Sequence, residues 1–228
     1  MRKEMILKKI VPAAAIISVL FLSLFAGERR YYIMSLVLLI LAMLPFFIRF
    51  ERRRPRAREL VLISLLAALA IAGRAAFYML PQFKPSAAII ILAGAMLGHE
   101  AGFLTGILTG LVSNFIFGQG PWTPWQMFSF GLLGFLAGLI FKNGRPARLP
   151  LCVYGGLSVL LVYGGLMDLA SVLIFQGYLS PETVITAYIA GVWFNLTHAA
   201  ATVVFLALLA GPMEKKLARM RTKYGILE

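Results

Sequence analysis

Charged, amide or imidazole side chains stand well inside otherwise apolar stretches at Arg74, Asn114, Asp168, Asn195 and His198. A polar group at bilayer depth is expensive unless it faces the interior of a helix bundle or a wet cavity, so each marks a functional site by default. Arg74 lies about 9 Å from the nearer end of its run at 1.5 Å per residue, and Asp168 lies at a similar depth in another. Counting back from Gly211 puts Asn195 at that depth too, with His198 one turn deeper and Asn114 nearer the end. Matched depths allow Arg74 and Asp168 to neutralise each other as a packing pair. They equally allow a polar floor beneath a pocket, because a paired arginine keeps spare donors for a ligand.

Above that floor the chain reads Phe117-Gly118-Gln119-Gly120-Pro121-Trp122-Thr123-Pro124-Trp125-Gln126. Glycine and proline make its shape a matter of turns. Trp122 and Trp125 fit an interfacial aromatic belt. Interleaved with Gln119, Thr123 and Gln126, they also fit flat apolar walls with a few amides, which suit a large, partly polar organic ligand. Other chemistries lack their residues. There is no GxxxxGK[ST] for nucleotide, no HExxH and no GxSxG. His99 and His198 fall in opposite halves of the membrane, the single cysteine, Cys152, sits in an apolar run, and no metal site is expected. Glu100 lies in a turn, which argues against an intramembrane acid–base site. A polar stripe through the other half, as an export channel would need, is missing.

The elements that position these groups follow from composition. The 228 residues are 61% hydrophobic and 14% charged, with a mean hydropathy of +0.87. Soluble domains run nearer 45–50% apolar and about 25% charged, so a soluble enzyme, a disordered tail and a disulfide-stapled domain are excluded. The pattern predicts an all-α polytopic membrane protein. Eight apolar runs, about 10–26, 31–48, 60–80, 86–97, 101–117, 125–141, 150–175 and 183–210, are candidate spans. The first has a basic flank like a signal peptide, but Leu24 and Phe25 stand where cleavage needs a small residue, and it reads as a retained helix. Of the 22 Lys and Arg, only Arg29, Arg30, Arg74 and Lys84 fall outside segments 1–9, 49–59, 142–148 and 213–228. That places both termini in the cytoplasm by the positive-inside rule and explains a net charge of +13 without nucleic acid. The expected organisation is a two-helix transmembrane hairpin (1–48), a basic linker (49–59), a six-helix core (60–211) and a basic tail (212–228).

Small residues recur on two faces. Ser64, Ala68, Ala72 and Ala76 are spaced by four, as are Gly94, Gly98, Gly102, Gly106 and Gly110, with Gly134 and Gly138 adding a GxxxG. In lipid such faces let helix backbones approach closely. The glycines read as internal packing, with a turn at His99–Glu100 splitting their series. For the alanine stripe a partner surface is an equal reading: at 100° per residue Arg74 points about 140° from its centre, so an inward arginine turns the alanines outward.

Segment 57–211 resembles the substrate-binding S components of energy-coupling factor (ECF) vitamin transporters. The likeness rests on six spans with both ends inside, the Ala68/Ala72 face and the Gly118–Gln126 loop, which looks nearest the cobalamin-type group. It implies a non-enzymatic capture subunit, without a cofactor, that takes a vitamin at the outer face of the cell membrane. It further implies docking through Ser64, Ala68, Ala72 and Ala76 on a T component coupled to two ABC ATPases. The substrate residues expected from the sequence are Arg74, Asn114, Gln119, Trp122, Thr123, Trp125, Gln126, Asp168 and Asn195. A corrinoid would draw on Asn114, Gln119 and Gln126 for its amide partners. The rival reading is a ligand-free membrane scaffold docking through the alanine face, and the hairpin at 10–48 is an addition to the family's six helices.

Overall fold

The computed structural model describes residues 30–52, 57–142 and 147–224. Their apolar runs form seven helices: α1 (Arg30–Arg52), α2 (Ala57–Ala76), α3 (Ser86–Leu97), α4 (His99–Phe117), α5 (Thr123–Ile140), α6 (Arg148–Phe175) and α7 (Pro181–Tyr224). No strand occurs among the described residues, as backbone in lipid requires of a non-barrel chain. Helices α2, α4, α5, α6 and α7 are long and apolar enough to cross a membrane. The protein is an all-α polytopic membrane protein.

Helix α3 departs from expectation. The run at 86–97 reads as a span by composition, yet its 12 residues reach only about 18 Å against roughly 30 Å of hydrocarbon. Every one of them is buried, which is the fate of a helix that is apolar all round. It forms the centre of the bundle, packed by α2, α4, α5 and α7.

What brings α3, α4 and α5 together is the glycine series. A Cβ on Gly94 or Gly102 would run into the backbone of Gly134, and one on Gly138 would meet the backbone of His99. The break falls one residue earlier than the sequence suggests, at Gly98, whose φ of +100° suits a residue without a side chain. Buried hydroxyls in these helices return to their own backbone: Thr105 donates to the carbonyl of Ala101, Thr109 to Thr105 and Ser129 to Trp125.

The first helix of the expected hairpin, residues 10–26, lies outside the described residues. The run expected as its second helix, 31–48, falls within α1, which buries Leu39 and Met43 and stacks Phe46 on Phe103 at 3.9 Å between ring centroids. Helix α1 runs through Arg52 and α2 begins at Ala57, both within the basic stretch 49–59. At the other end α7 continues through Pro212 to Tyr224, where the basic composition suggests a tail.

Candidate functional site

Arg74, in the last turn of α2, turns towards the end of α4. Its guanidinium donates to Ser113 Oγ and, at 3.0 Å, to Asn114 Oδ1, and lies over the Phe117 ring 4.3 Å from the centroid. Asn114 passes the contact on, donating through Nδ2 to Thr123 Oγ1 at 3.1 Å. The same hydroxyl accepts from the Gly120 backbone N–H and donates to Gln119 Oε1 at 2.9 Å, while Gln119 Nε2 reaches the Leu111 carbonyl. The Gly/Pro loop is thus tied to the ends of α2 and α4 by one relay, and Thr123 opens α5 at its centre. Four of the expected site residues, Arg74, Asn114, Gln119 and Thr123, belong to it.

A second polar group lies in the bundle interior. Gln126 donates through Nε2 to the Tyr163 hydroxyl at 2.9 Å. Tyr163 stands edge-on to His198 at 4.8 Å and tilts against Phe130 at 4.7 Å. It belongs to the π-helical stretch Val159–Gly164 of α6, a distortion that concentrates at functional sites. At the start of α5 the buried Trp125 indole N–H and Gln126 Oε1 have no hydrogen-bonding partner among the described residues. A buried unsatisfied group costs about 1–3 kcal/mol, and native structures keep few without a reason.

The two tryptophans differ. Trp125 is buried among Leu39, Met43, Ala170 and Leu173, so it is bundle core rather than an interfacial belt. Trp122 is exposed, its indole folded onto Gly120 where no Cβ obstructs it.

Arg74 and Asp168 do not pair. Asp168 accepts from Asn195 Nδ2 at 2.7 Å, and the ion pair that matched depths allow is not formed. The reason is the roll of α6 against α7: Asp168 fits over Gly191 and Asn195 over Gly164, which commits both side chains to each other. Beyond them the ends of α6 and α7 diverge around an open groove of ≈ 360 Å³ lined by Ser171, Gln176, Glu182 and Thr186 among others. Asp168 and Asn195 therefore stand apart from the relay of Arg74.

Ser64, Ala68, Ala72 and Ala76 are all exposed along α2, on the side away from Arg74. The residues that sequence reasoning missed are Ser113, Phe117, Tyr163 and Lys84. Ser113 adjoins Asn114, and Lys84 is the lone cation of its loop, so both carried a signal. Lys84 sits 5.5 Å from the Phe117 centroid and donates to the Leu80 carbonyl. Burial, and then the neighbouring charge of Arg74, lower its pKa below the usual lysine value.

Membrane-length helices closed over polar side chains gathered towards one end define a polytopic membrane protein with a polar group inside its bundle. Residues 56–218 match the family described as ECF-type riboflavin transporter, S component. The chain belongs to this family, which comprises transporter components rather than enzymes. It is 27% identical over 178 residues to a UPF0397 protein of Vibrio atlanticus (strain LGP32), an alignment covering 73% of this chain and 97% of that protein. No solved structure matches it.

Proposed function

We propose that this chain is the substrate-capture subunit of an ECF-type importer, binding a vitamin where the relay from Arg74 to Gln119 meets the interior group of Gln126, Tyr163 and His198. The observation that carries the reading is the pair of unpartnered buried atoms, the Trp125 N–H and the Gln126 carbonyl. Consecutive residues of a helix point about 100° apart, so the two atoms offer separate hydrogen bonds, one donated and one accepted, to a partly polar ligand. Trp122, Thr123 and Asn114 complete the rim, while Asp168 and Asn195, paired with each other, lie apart from it. The site end faces outward and both termini are cytoplasmic, as the charge distribution argues. Energy comes from a T component and two ABC ATPases docked on Ser64, Ala68, Ala72 and Ala76, whose exposure leaves them accessible to a partner helix.

Two substrates compete within this reading. The description of the family favours riboflavin, and the Gly118–Gln126 loop favours a corrinoid. Thermal unfolding of the detergent-purified protein with riboflavin or cobalamin separates them, because a ligand at 100 times its Kd stabilises by about 2.7 kcal/mol. The vitamin that is captured raises the Tm, and the other does not. Failure of every vitamin tried, together with intact co-purification of partners, would favour the ligand-free scaffold.

A further inference from the structure

Among the described residues, the positive charge at the site meets only neutral partners. Arg74 is half-buried, and its partners are the neutral Ser113, Asn114 and the Phe117 ring. Lys84 is half-buried too, shares that ring, and donates only to a backbone carbonyl. Asp168, the carboxylate whose depth matched, is taken by Asn195. Among the described residues no carboxylate makes an ion pair with either cation. Burial first, and then the charge of Arg74, lower the pKa of Lys84 below the usual lysine value. Two like charges held together in a partly desolvated place are unfavourable unless an anion comes between them.

We propose that the captured substrate carries an anionic group, a carboxylate or phosphate, which seats between Arg74 and Lys84. This rests on the capture reading and narrows its substrate class. The guanidinium has five N–H donors and spends Nη1 on Ser113 and Asn114, so others remain for an oxyanion in the charge-assisted geometry that arginine favours. A lipid headgroup offers the same phosphate chemistry. The soluble source is preferred because Arg74 turns inward, onto the fully buried Ser113 and Asn114 of α4, rather than out along the helix surface where headgroups lie.

The test compares riboflavin with riboflavin 5′-phosphate, and inorganic phosphate with chloride at matched ionic strength, on the full chain in detergent. Binding is read by thermal shift and flavin fluorescence. The expected result is at least a tenfold preference for the phosphorylated flavin, or stabilisation by inorganic phosphate if neither flavin binds. Lys84→Gln should abolish that effect, and because Lys84 lies in a loop this variant keeps the test open should Arg74→Gln fail to fold. Equal affinity for both flavins, with no phosphate effect, overturns the anion inference and leaves the capture reading standing. No response to either flavin with a phosphate effect that Lys84→Gln removes does the opposite. The same protein in nanodiscs of phosphatidylcholine or phosphatidylglycerol supplies the last arm. Stabilisation by phosphatidylglycerol alone, with none by soluble phosphate, identifies a headgroup site and overturns the proposal.

Discussion

Two faces of this protein are built from small residues, and they have opposite fates. The glycines of α3, α4 and α5 bring backbone against backbone at the centre of the bundle. The serine and alanines of α2 are exposed along their whole length. Composition alone does not distinguish them, since any small-xxx-small spacing permits close approach. Two features do. Gly94, Gly102 and Gly134 sit where even a methyl group has no room, whereas Ser64, Ala68, Ala72 and Ala76 carry Cβ atoms into open space. Arg74 then fixes the roll of α2: anchored on Ser113 and Asn114, it keeps the alanine face turned outward.

The largest expected effect tests the buried face. Gly134→Leu would drive a side chain into the backbone of Gly102, which cannot rotate away as a side chain would. Its cost should exceed the roughly 1–3 kcal/mol typical of overpacking, and the readout is loss of monodisperse protein on size-exclusion chromatography. A well-behaved Gly134→Leu protein would mean that the seam is looser than its glycines imply. Next comes Arg74→Met, which deletes two charge-assisted hydrogen bonds of about 1.5–3 kcal/mol each and frees the roll of α2. Thermal unfolding should show a clear loss of stability, accompanied by loss of ligand binding. Ala68→Trp should by contrast leave the Tm of the isolated chain within about ±0.5 kcal/mol of wild type, as for a surface change. Co-purification with the coupling module should be lost. Retained association would remove α2 as the docking face.

The bundle was legible in the sequence because its causes are local: long uncharged runs, glycine and proline at their ends, and arginine and lysine in the linkers. The outward turn of the alanine stripe was legible for a similar reason, since the angle between Ala72 and Arg74 is fixed by helix geometry. Depth could be counted as well, which is why Arg74, Asn114 and Thr123 converge as the pattern suggests. What could not be counted was rotation between helices. Asp168 and Arg74 share a depth, but the notches at Gly164 and Gly191 turn Asp168 towards Asn195. Nor does composition separate an apolar run that spans from one that is buried whole; only the 12-residue length of α3 hints at its place. Tyr163 was hidden for a further reason. Its position depends on a π-helical stretch, and an extra residue per turn shifts every later side chain out of the register that a 3.6-residue period supplies.

The smallest expected effect concerns the two sides of the bundle that Arg74 and Asp168 occupy. They share no hydrogen-bonding partner: the arginine is held by Ser113 and Asn114, the aspartate by Asn195. Residues without shared partners add within about 0.3–0.5 kcal/mol, so the losses of stability in Arg74→Met and Asp168→Leu should sum in the double variant. A buried ion pair behaves otherwise, because removing one partner strands the other at a cost of about 3–5 kcal/mol and removing both restores much of it. Chemical unfolding of the four proteins measures the coupling directly. A coupling near zero means that α4 alone sets the roll of α2, and with it the direction of the alanine face. Recovery in the double variant would instead bring α6 into that task, and the outward face of α2 would then depend on both halves of the bundle.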